Sequence, residues 1–233
     1  MKIIYKNKRI FALLAVAGFF GIFFFSGRGA LAIDSDSDGY DDELELASGY
    51  SPFNPAPLKL SASDVDSDGL SDEAEIHFGS DPFQADSDSD GYGDREEVDS
   101  GYSPASSSPL KLEKRVVINL KEQKLKYFVG GYLWKDFPVS SGKPSMPTPK
   151  GEFKIINKVP KAWSAAYGLY MPYWLGLGSG RFGIHELPVW PSGYREGEDH
   201  LGQAVSHGCI RLGIGPAQYL YERVEVGQTV EIE

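Results

Sequence analysis

Three copies of one acidic pattern set the first limit on what this chain can fold into. Asp34 to Glu45 reads DSDSDGYDDELE, Asp64 to Glu75 reads DVDSDGLSDEAE, and Asp86 to Glu97 reads DSDSDGYGDREE. All three fit D-x-D-x-D-G-x-x-D-x-x-E, the ligand spacing of a 12-residue calcium loop. Residues 33–112 carry 21 Asp and Glu against Lys59, Arg95 and Lys111, a net charge of −18. Residues 113–233 carry 15 Lys and Arg against 12 acidic residues, a net +3, so the overall −10 belongs to one segment. A stretch so charged either stays a solvated linker or folds around cations. Three in-register copies, each with Gly at position 6 and Glu at position 12, favour cations, and the acidity argues against a nucleic-acid partner.

The pattern assigns a ligand set to each loop. In the first, Asp34, Asp36 and Asp38 offer carboxylates at positions 1, 3 and 5, and Gly39 permits the sharp turn. Tyr40 offers its backbone carbonyl, Asp42 acts through water, and Glu45 closes the site with two oxygens. The second loop uses Asp64, Asp66, Asp68, Leu70, Asp72 and Glu75; the third uses Asp86, Asp88, Asp90, Tyr92, Asp94 and Glu97. A longer duplication overlies the loops, since SGYSP…PLKL at Ser48–Leu60 recurs 52 residues later at Ser100–Leu112. Pro52, Pro55, Pro57, Pro82, Pro104 and Pro109 break flanking helices early, which argues against EF-hands. The segment resembles the thrombospondin type 3-like calcium repeats of bacterial surface proteins, with Gly79-Ser80-Asp81-Pro82 as the connector. That resemblance implies an extended rod held by structural Ca2+, which unfolds when the ion is removed.

The N-terminus points to export. Lys2, Lys6, Lys8 and Arg9 precede an apolar run from Ile10 to Phe25, and Ala30-Leu31-Ala32 gives an A-x-A cleavage signal. The run is shorter than the roughly 20 residues of a spanning helix. Residues 1–32 therefore read as a signal peptide, with a retained N-terminal anchor as the alternative. The rest of the chain is then expected at the cell wall, in the periplasm or outside the cell.

In an exported chain the single cysteine, Cys209, has no internal disulfide partner. It stands in Ser206-His207-Gly208-Cys209-Ile210-Arg211-Leu212, beside a histidine and a glycine. A thiol, a base and backbone N–H groups able to face an oxyanion are what nucleophilic thiol catalysis requires. A neighbouring imidazole would hold a thiolate–imidazolium pair near neutral pH. His200 sits in a polar loop and reads as solvent-exposed. His77 lacks Cys or His neighbours, so zinc is not expected there.

Past Lys111 the pattern becomes that of short antiparallel strands. Arg115–Leu120 and Lys124–Val129 form a hairpin, Tyr132–Ser140 continues the meander, Gly151–Ile156 resumes it, and Val224–Ile232 closes it. Only Pro216–Val224 reads as a helix, with Pro near its start. The chain thus divides into a leader (1–32), acidic repeats (33–112) and a mostly β domain (113–233).

Residues 113–233 resemble the L,D-transpeptidase (YkuD-like) catalytic domain. The landmarks occur in order: VVINLKEQKLKYF, FPVSSGKPSMPTPKGEFKI, MPYWLGLGSGRFGIHEL and AVSHGCIRLGIGPAQYLYERVEVGQTVEI. The resemblance implies a β-sandwich with a short helix, and acyl transfer of peptidoglycan stem peptides through a Cys209 thioester. Donor and acceptor stems are the implied partners, carbapenem-type β-lactams the implied inhibitors, and catalysis needs no cofactor. It makes Cys209 the nucleophile and His185 the base. His207 and Gly208, with Cys209, supply oxyanion N–H groups; Ser206 belongs to the turn; Arg211 orders the turn or binds a substrate carboxylate. Where the family has Gly or Ser after the upstream histidine, this chain has Glu186. Either its carbonyl orients the ring, or its carboxylate raises the imidazole pKa. The stretch of Trp163, Tyr167, Tyr170, Tyr173 and Trp174 is a lid over the donor site or simple core. The same thioester also serves an L,D-carboxypeptidase or attachment of a protein to the wall. A non-catalytic calcium-dependent wall-binding module is the remaining alternative.

Overall fold

The structure, a computed structural model, describes residues 33–233; the leader expected over residues 1–32 lies outside the described residues. Eight strands carry the C-terminal part: β1 (Lys114–Asn119), β2 (Lys124–Val129), β3 (Tyr132–Ser140), β4 (Gly151–Ser164), β5 (Leu169–Leu177), β6 (Phe182–Glu186), β7 (Ile210–Leu212) and β8 (Thr229–Ile232). They close in the order β1-β2-β3-β7-β6-β5-β4-β8. The expected sandwich is thereby joined into one barrel. β3 pairs with β2 through Tyr132–Pro138 and then with β7 through Val139 and Ser140. β4 pairs with β8 through Gly151–Lys154 and then with β5 through Ile155–Ser164. These two long strands turn the corners, so neither face is left with an open edge.

Alternation along the strands fills the barrel. In β2, Leu125, Tyr127 and Val129 point inward and are buried, while Lys124 and its neighbours face out. Val116, Ile118, Ile155, Leu175, Leu177, Ile184, Ile210 and Leu212 complete the interior. Two pairs are parallel, β1 with β8 and β6 with β7. The second sets His185 directly beside Arg211.

Among the described residues, four α-helices are present where one was expected. α4 (Pro216–Arg223) matches the expected helix; α1 (Asp42–Ser48), α2 (Asp72–Phe78) and α3 (Asp94–Ser100) do not appear in the sequence reading. Each begins at loop position 9, with acidic residues in its first turn, where the helix dipole favours negative charge. Each ends on a left-handed glycine: Gly49, Gly79 or Gly101. Pro52, Pro82 and Pro104 fall three residues after those glycines, too late to interrupt a seven-residue helix.

The repeats also differ from an extended rod. Leu70, Ala74 and Val98 are 1%, 1% and 0% exposed and belong to the same apolar core as Val116, Trp134 and Leu220 of the barrel side. Phe78 packs edge-on against Tyr132 and Trp134. Polar contacts follow the same seam. The Tyr132 hydroxyl donates to Glu73 (3.0 Å), His77 Nε2 meets the Gly130 carbonyl (2.9 Å), and Lys114 Nζ donates to the Ser100 carbonyl (3.1 Å). Asp99 accepts from Trp134 Nε1 (3.1 Å) and the Tyr219 hydroxyl (2.6 Å), and forms an ion pair with Arg223 of α4. Three buried apolar side chains and this polar seam hold the second and third repeats against the barrel.

Candidate active site

Cys209 ends the turn that leads into β7, and that turn is tightly wired. The Ser206 hydroxyl donates to the Cys209 carbonyl (2.6 Å) and accepts from the Gly208 N–H (3.1 Å). Gly208 has φ of 107°, a region open to glycine and costly for other residues. The Pro-rich loop after β3 supplies the outer support. Thr148 Oγ1 donates to the Gly208 carbonyl (3.0 Å) and accepts from the Gly142 N–H (2.9 Å). Ser206 N–H donates to the Ser141 carbonyl (2.9 Å), and Lys143 N–H to the Ser206 carbonyl (3.0 Å). Thr148 and Ser141 lie in the FPVSSGKPSMPTPKGEFKI landmark, but nothing in it assigns them to the nucleophile turn. The Gly208 N–H, expected to face an oxyanion, is instead engaged by Ser206.

His185, on β6, is 3% exposed and stacks on Trp174 with ring centroids 5.9 Å apart. Its Nδ1 lies 2.5 Å from the Glu186 carbonyl. A carbonyl only accepts, so Nδ1 carries the proton and Nε2 keeps its lone pair. That settles which part of Glu186 orients the ring. The Glu186 carboxylate, itself buried, pairs with Arg195 instead.

Burial holds His185 far below an ordinary histidine, at about 4, with the Arg211 charge acting in the same direction. Burial also raises the Cys209 thiol above its usual range, against a backbone hydrogen bond with Gly183 and the charge of Arg211. Both shifts run toward the uncharged forms, away from the thiolate–imidazolium pair expected from the sequence. Gly183 is required here by close approach: a Cβ would stand 2.2 Å from the Leu175 carbonyl and 3.0 Å from the Trp174 ring.

Cys209 and His185 open into one cleft of about 530 Å³, shared with Ser206, His207 and Arg211. Arg211 is 7% exposed and lies 3.5 Å from Glu196, whose other partner is Trp190 Nε1 at 3.0 Å. The β4–β5 hairpin hangs over the cleft. Tyr167 at its tip stacks on His207 with centroids 4.8 Å apart, and Trp163 is half exposed beside it. Trp174, 7% exposed, also lines the cleft, while Tyr173 packs against Tyr221 and the core, so the aromatic stretch divides between cleft and interior. His200 lines no part of this cleft.

Far from the cleft, each acidic loop gathers its first three carboxylates. One oxygen each from Asp34, Asp36 and Asp38 lies within 4.8 Å of the others, and the same holds for Asp64, Asp66 and Asp68 and for Asp86, Asp88 and Asp90. The N–H of Gly39, Gly69 and Gly91 donates to the position-1 carboxylate at 3.0–3.1 Å. Tyr40, Leu70 and Tyr92 donate their N–H to Asp38, Asp68 and Asp90.

These residues fit a bound cation. Buried oxygens of Asp36, Glu45, Asp64, Asp66, Glu75, Asp88 and Glu97 have no hydrogen-bond partner. Without a cation, burial and the neighbouring carboxylates push Glu75 up to about 8, Glu97 to about 7 and Asp66 to about 6. An oxygen-rich cage of this kind suits a hard divalent ion. Asp42 and Asp94 depart from the expected set. Asp42 accepts from the N–H and hydroxyl of Ser35, and Asp94 from those of Ser87, so both close their loops internally. Asp72 likewise bonds Val65 N–H and the Ser51 hydroxyl.

The comparisons bear on the barrel. A description of the YkuD L,D-transpeptidase catalytic domain matches residues 113–232. This chain belongs to that family. YkuD of Bacillus licheniformis is 31% identical over 109 residues, covering 47% of this chain and 59% of its own length. L,D-transpeptidase 1 of Mycobacterium tuberculosis is 30% identical over 116 residues, covering 44% of this chain and 43% of its own. The chain thus spans between two fifths and three fifths of these relatives. Among solved structures, an L,D-transpeptidase from Mycobacterium smegmatis is 24% identical with a TM-score of 0.47, covering 53% of this chain and 60% of its own.

Proposed function

We propose that this protein is an exported cysteine L,D-transpeptidase acting on peptidoglycan stem peptides, with a calcium-bound N-terminal segment. The carrying observation is the His185 ring, its Nδ1 proton committed to the Glu186 carbonyl, opening with Cys209 into one cleft. Nε2 is then the basic atom on the cleft side of the chemistry.

Cys209 Sγ attacks the carbonyl between the diamino acid of a donor stem and its terminal D-Ala, while His185 Nε2 takes the thiol proton. Because burial disfavours both charges, proton transfer accompanies attack instead of preceding it. The His207 and Cys209 N–H groups face the oxyanion, since Gly208 N–H serves Ser206. Collapse breaks the C–N bond, and the imidazolium returns its proton to the departing D-Ala amine. The amine of a second stem then attacks the thioester and displaces Cys209, giving a 3→3 cross-link. Arg211 is already paired with Glu196, which supports the turn-ordering role over direct capture of a free carboxylate. The aromatic hairpin tip covers the donor site.

The residues toward a bound ion are the carboxylates named above at loop positions 1, 3, 5 and 12. Calcium there supplies charge neutralisation to a segment that carries −18 without it.

Intact-mass spectrometry of the purified protein with a carbapenem tests the chemistry. One adduct on the wild type and none on Cys209→Ala is the expected result. A folded protein with a free thiol and no adduct would overturn the assignment. Muropeptide analysis of sacculi then separates cross-linking from trimming or protein attachment.

A further inference from the structure

The three acidic loops are not equivalent in the way they meet the barrel. The first stands apart: Leu44 and Leu46 of α1 are 56% and 44% exposed. Among the described residues, no side-chain hydrogen bond joins residues 34–45 to the barrel. The second and third loops are built into it. Glu75, at position 12 of the second loop, is fully buried with both carboxylate oxygens unpartnered, and its helix α2 carries Ala74 and Phe78 into the barrel seam. Glu97, at position 12 of the third, is 8% exposed with one oxygen unpartnered. It is followed immediately by Val98, which is in the shared core, and by Asp99, which holds Trp134, Tyr219 and Arg223.

These two loops are also joined to each other. The Arg95 N–H, on α3 of the third loop, donates to Asp68 Oδ2 of the second at 3.0 Å. The Arg95 guanidinium bonds the Gly69 carbonyl and lies 4.6 Å above the Trp134 ring of β3. One side chain therefore spans the second loop, the third helix and the barrel.

We infer that ions in the second and third loops are part of the folded catalytic unit, and that the ion in the first loop is not. A buried carboxylate with no partner is costly, so α2 and α3 cannot settle on the barrel with Glu75 and Glu97 ionised unless a cation joins them. Calcium then binds and the barrel core completes in one coupled step. This rests on the calcium reading proposed above, and deepens it from spacer to structural requirement.

All four tryptophans lie within residues 113–233, and Trp134 also touches Phe78, Arg95 and Asp99 of the repeats, so tryptophan fluorescence reports on the barrel and on the seam. The experiment is thermal unfolding of the purified protein followed by tryptophan emission, in calcium and in EDTA, with calorimetric titration of calcium alongside. At calcium about 100-fold above its dissociation constant for two coupled sites, the tryptophan midpoint should rise by roughly 10–20 °C. Glu45→Gln should keep that rise. Glu75→Gln and Glu97→Gln should lose much of it, and should unfold near the wild-type midpoint in EDTA, where neither protein holds an ion. Calcium binding without any change in the tryptophan midpoint would overturn the coupling and leave the calcium reading standing. No calcium binding at all would overturn both. An equal loss from Glu45→Gln would overturn the distinction between the loops. Should the two Gln variants fail to fold, the wild-type and Glu45→Gln midpoints decide the coupling by themselves.

Discussion

Replacing Asp99 by Ala is the sharpest probe of the seam between the repeats and the barrel. Its carboxylate is the meeting point of Trp134 Nε1, the Tyr219 hydroxyl and the Arg223 guanidinium, and these donors hold its pKa below the usual carboxylate value even against burial. Asp99 is about a quarter exposed and Arg223 about a fifth. Complete loss of a fully buried partner costs about 3–5 kcal/mol. Partial exposure lets water take up some of the orphaned donors, so about 2–4 kcal/mol is the better figure. For a chain of this size, each kcal/mol moves the midpoint by about 2–4 °C. The tryptophan-detected midpoint in calcium should therefore fall by roughly 4–16 °C. Asp99→Asn, which keeps acceptor oxygen but loses the charge, should fall by less. The sign of the pH effect is also set. A carboxylate with a lowered folded pKa stabilises above its unfolded pKa, near 4, and the contribution vanishes as pH falls through the folded value. A shift below 2 °C for Asp99→Ala at neutral pH, or a barrel transition unchanged while the repeats melt separately, would refute the shared-core reasoning.

Three further outcomes follow from the cleft. Thr148→Val leaves the Gly208 carbonyl and the Gly142 N–H without partners, which should cost about 1–3 kcal/mol in thermal unfolding and slow carbapenem adduct formation, while Thr148→Ser should restore both. Gly183→Ala drives a Cβ into the Leu175 carbonyl between β5 and β6, so the barrel should lose about 3 kcal/mol or more, read by the same midpoint. His185 should make stability acid-sensitive. Its folded pKa, near 4, is below the unfolded 6.5, so the unfolded chain binds the proton first and stability falls as pH drops from 6.5 toward 4. The loss approaches about 3 kcal/mol across that window. His185→Gln measured in saturating calcium should flatten that slope, and an unchanged slope would contradict the burial argument.

What could be read from the sequence was what is local. Strands β2 and β3 fall where alternation of side chains placed them, and Cys209, His185 and the acidic loops are visible because each sits in a short run of telling residues. The helices α1 to α3 were hidden because prolines nearby suggested interruption, although the prolines come after the capping glycines. The docking of the repeats was hidden for a different reason. Leu70, Ala74 and Val98 are scattered single apolar residues in a calcium loop and its helices, with no periodic face to announce burial. Support for the nucleophile turn was equally invisible. Thr148 acts on Gly208 across 60 residues of chain, and the landmark that contains it gives no sign of which distant backbone group it serves.

Glu186 shows how far the chemistry of one residue can differ between its backbone and its side chain. At a position where the family carries Gly or Ser, a carboxylate one residue from the base is close enough in sequence to raise the imidazole pKa. The fold prevents that by dividing the residue's labour: the carbonyl takes the Nδ1 proton, and the carboxylate turns to Arg195. Glu186→Gln keeps the carbonyl and removes the charge. It should lower the unfolding midpoint by the equivalent of about 1–3 kcal/mol, because a buried ion pair is lost while the half-exposed Arg195 is rehydrated. The pH dependence of adduct formation on Cys209 should stay where it is in the wild type, since the group that fixes the ring is untouched. If the acid limb of that profile moved instead, the carboxylate would be acting on His185 directly, and a tautomer set by the carbonyl alone would no longer account for the base.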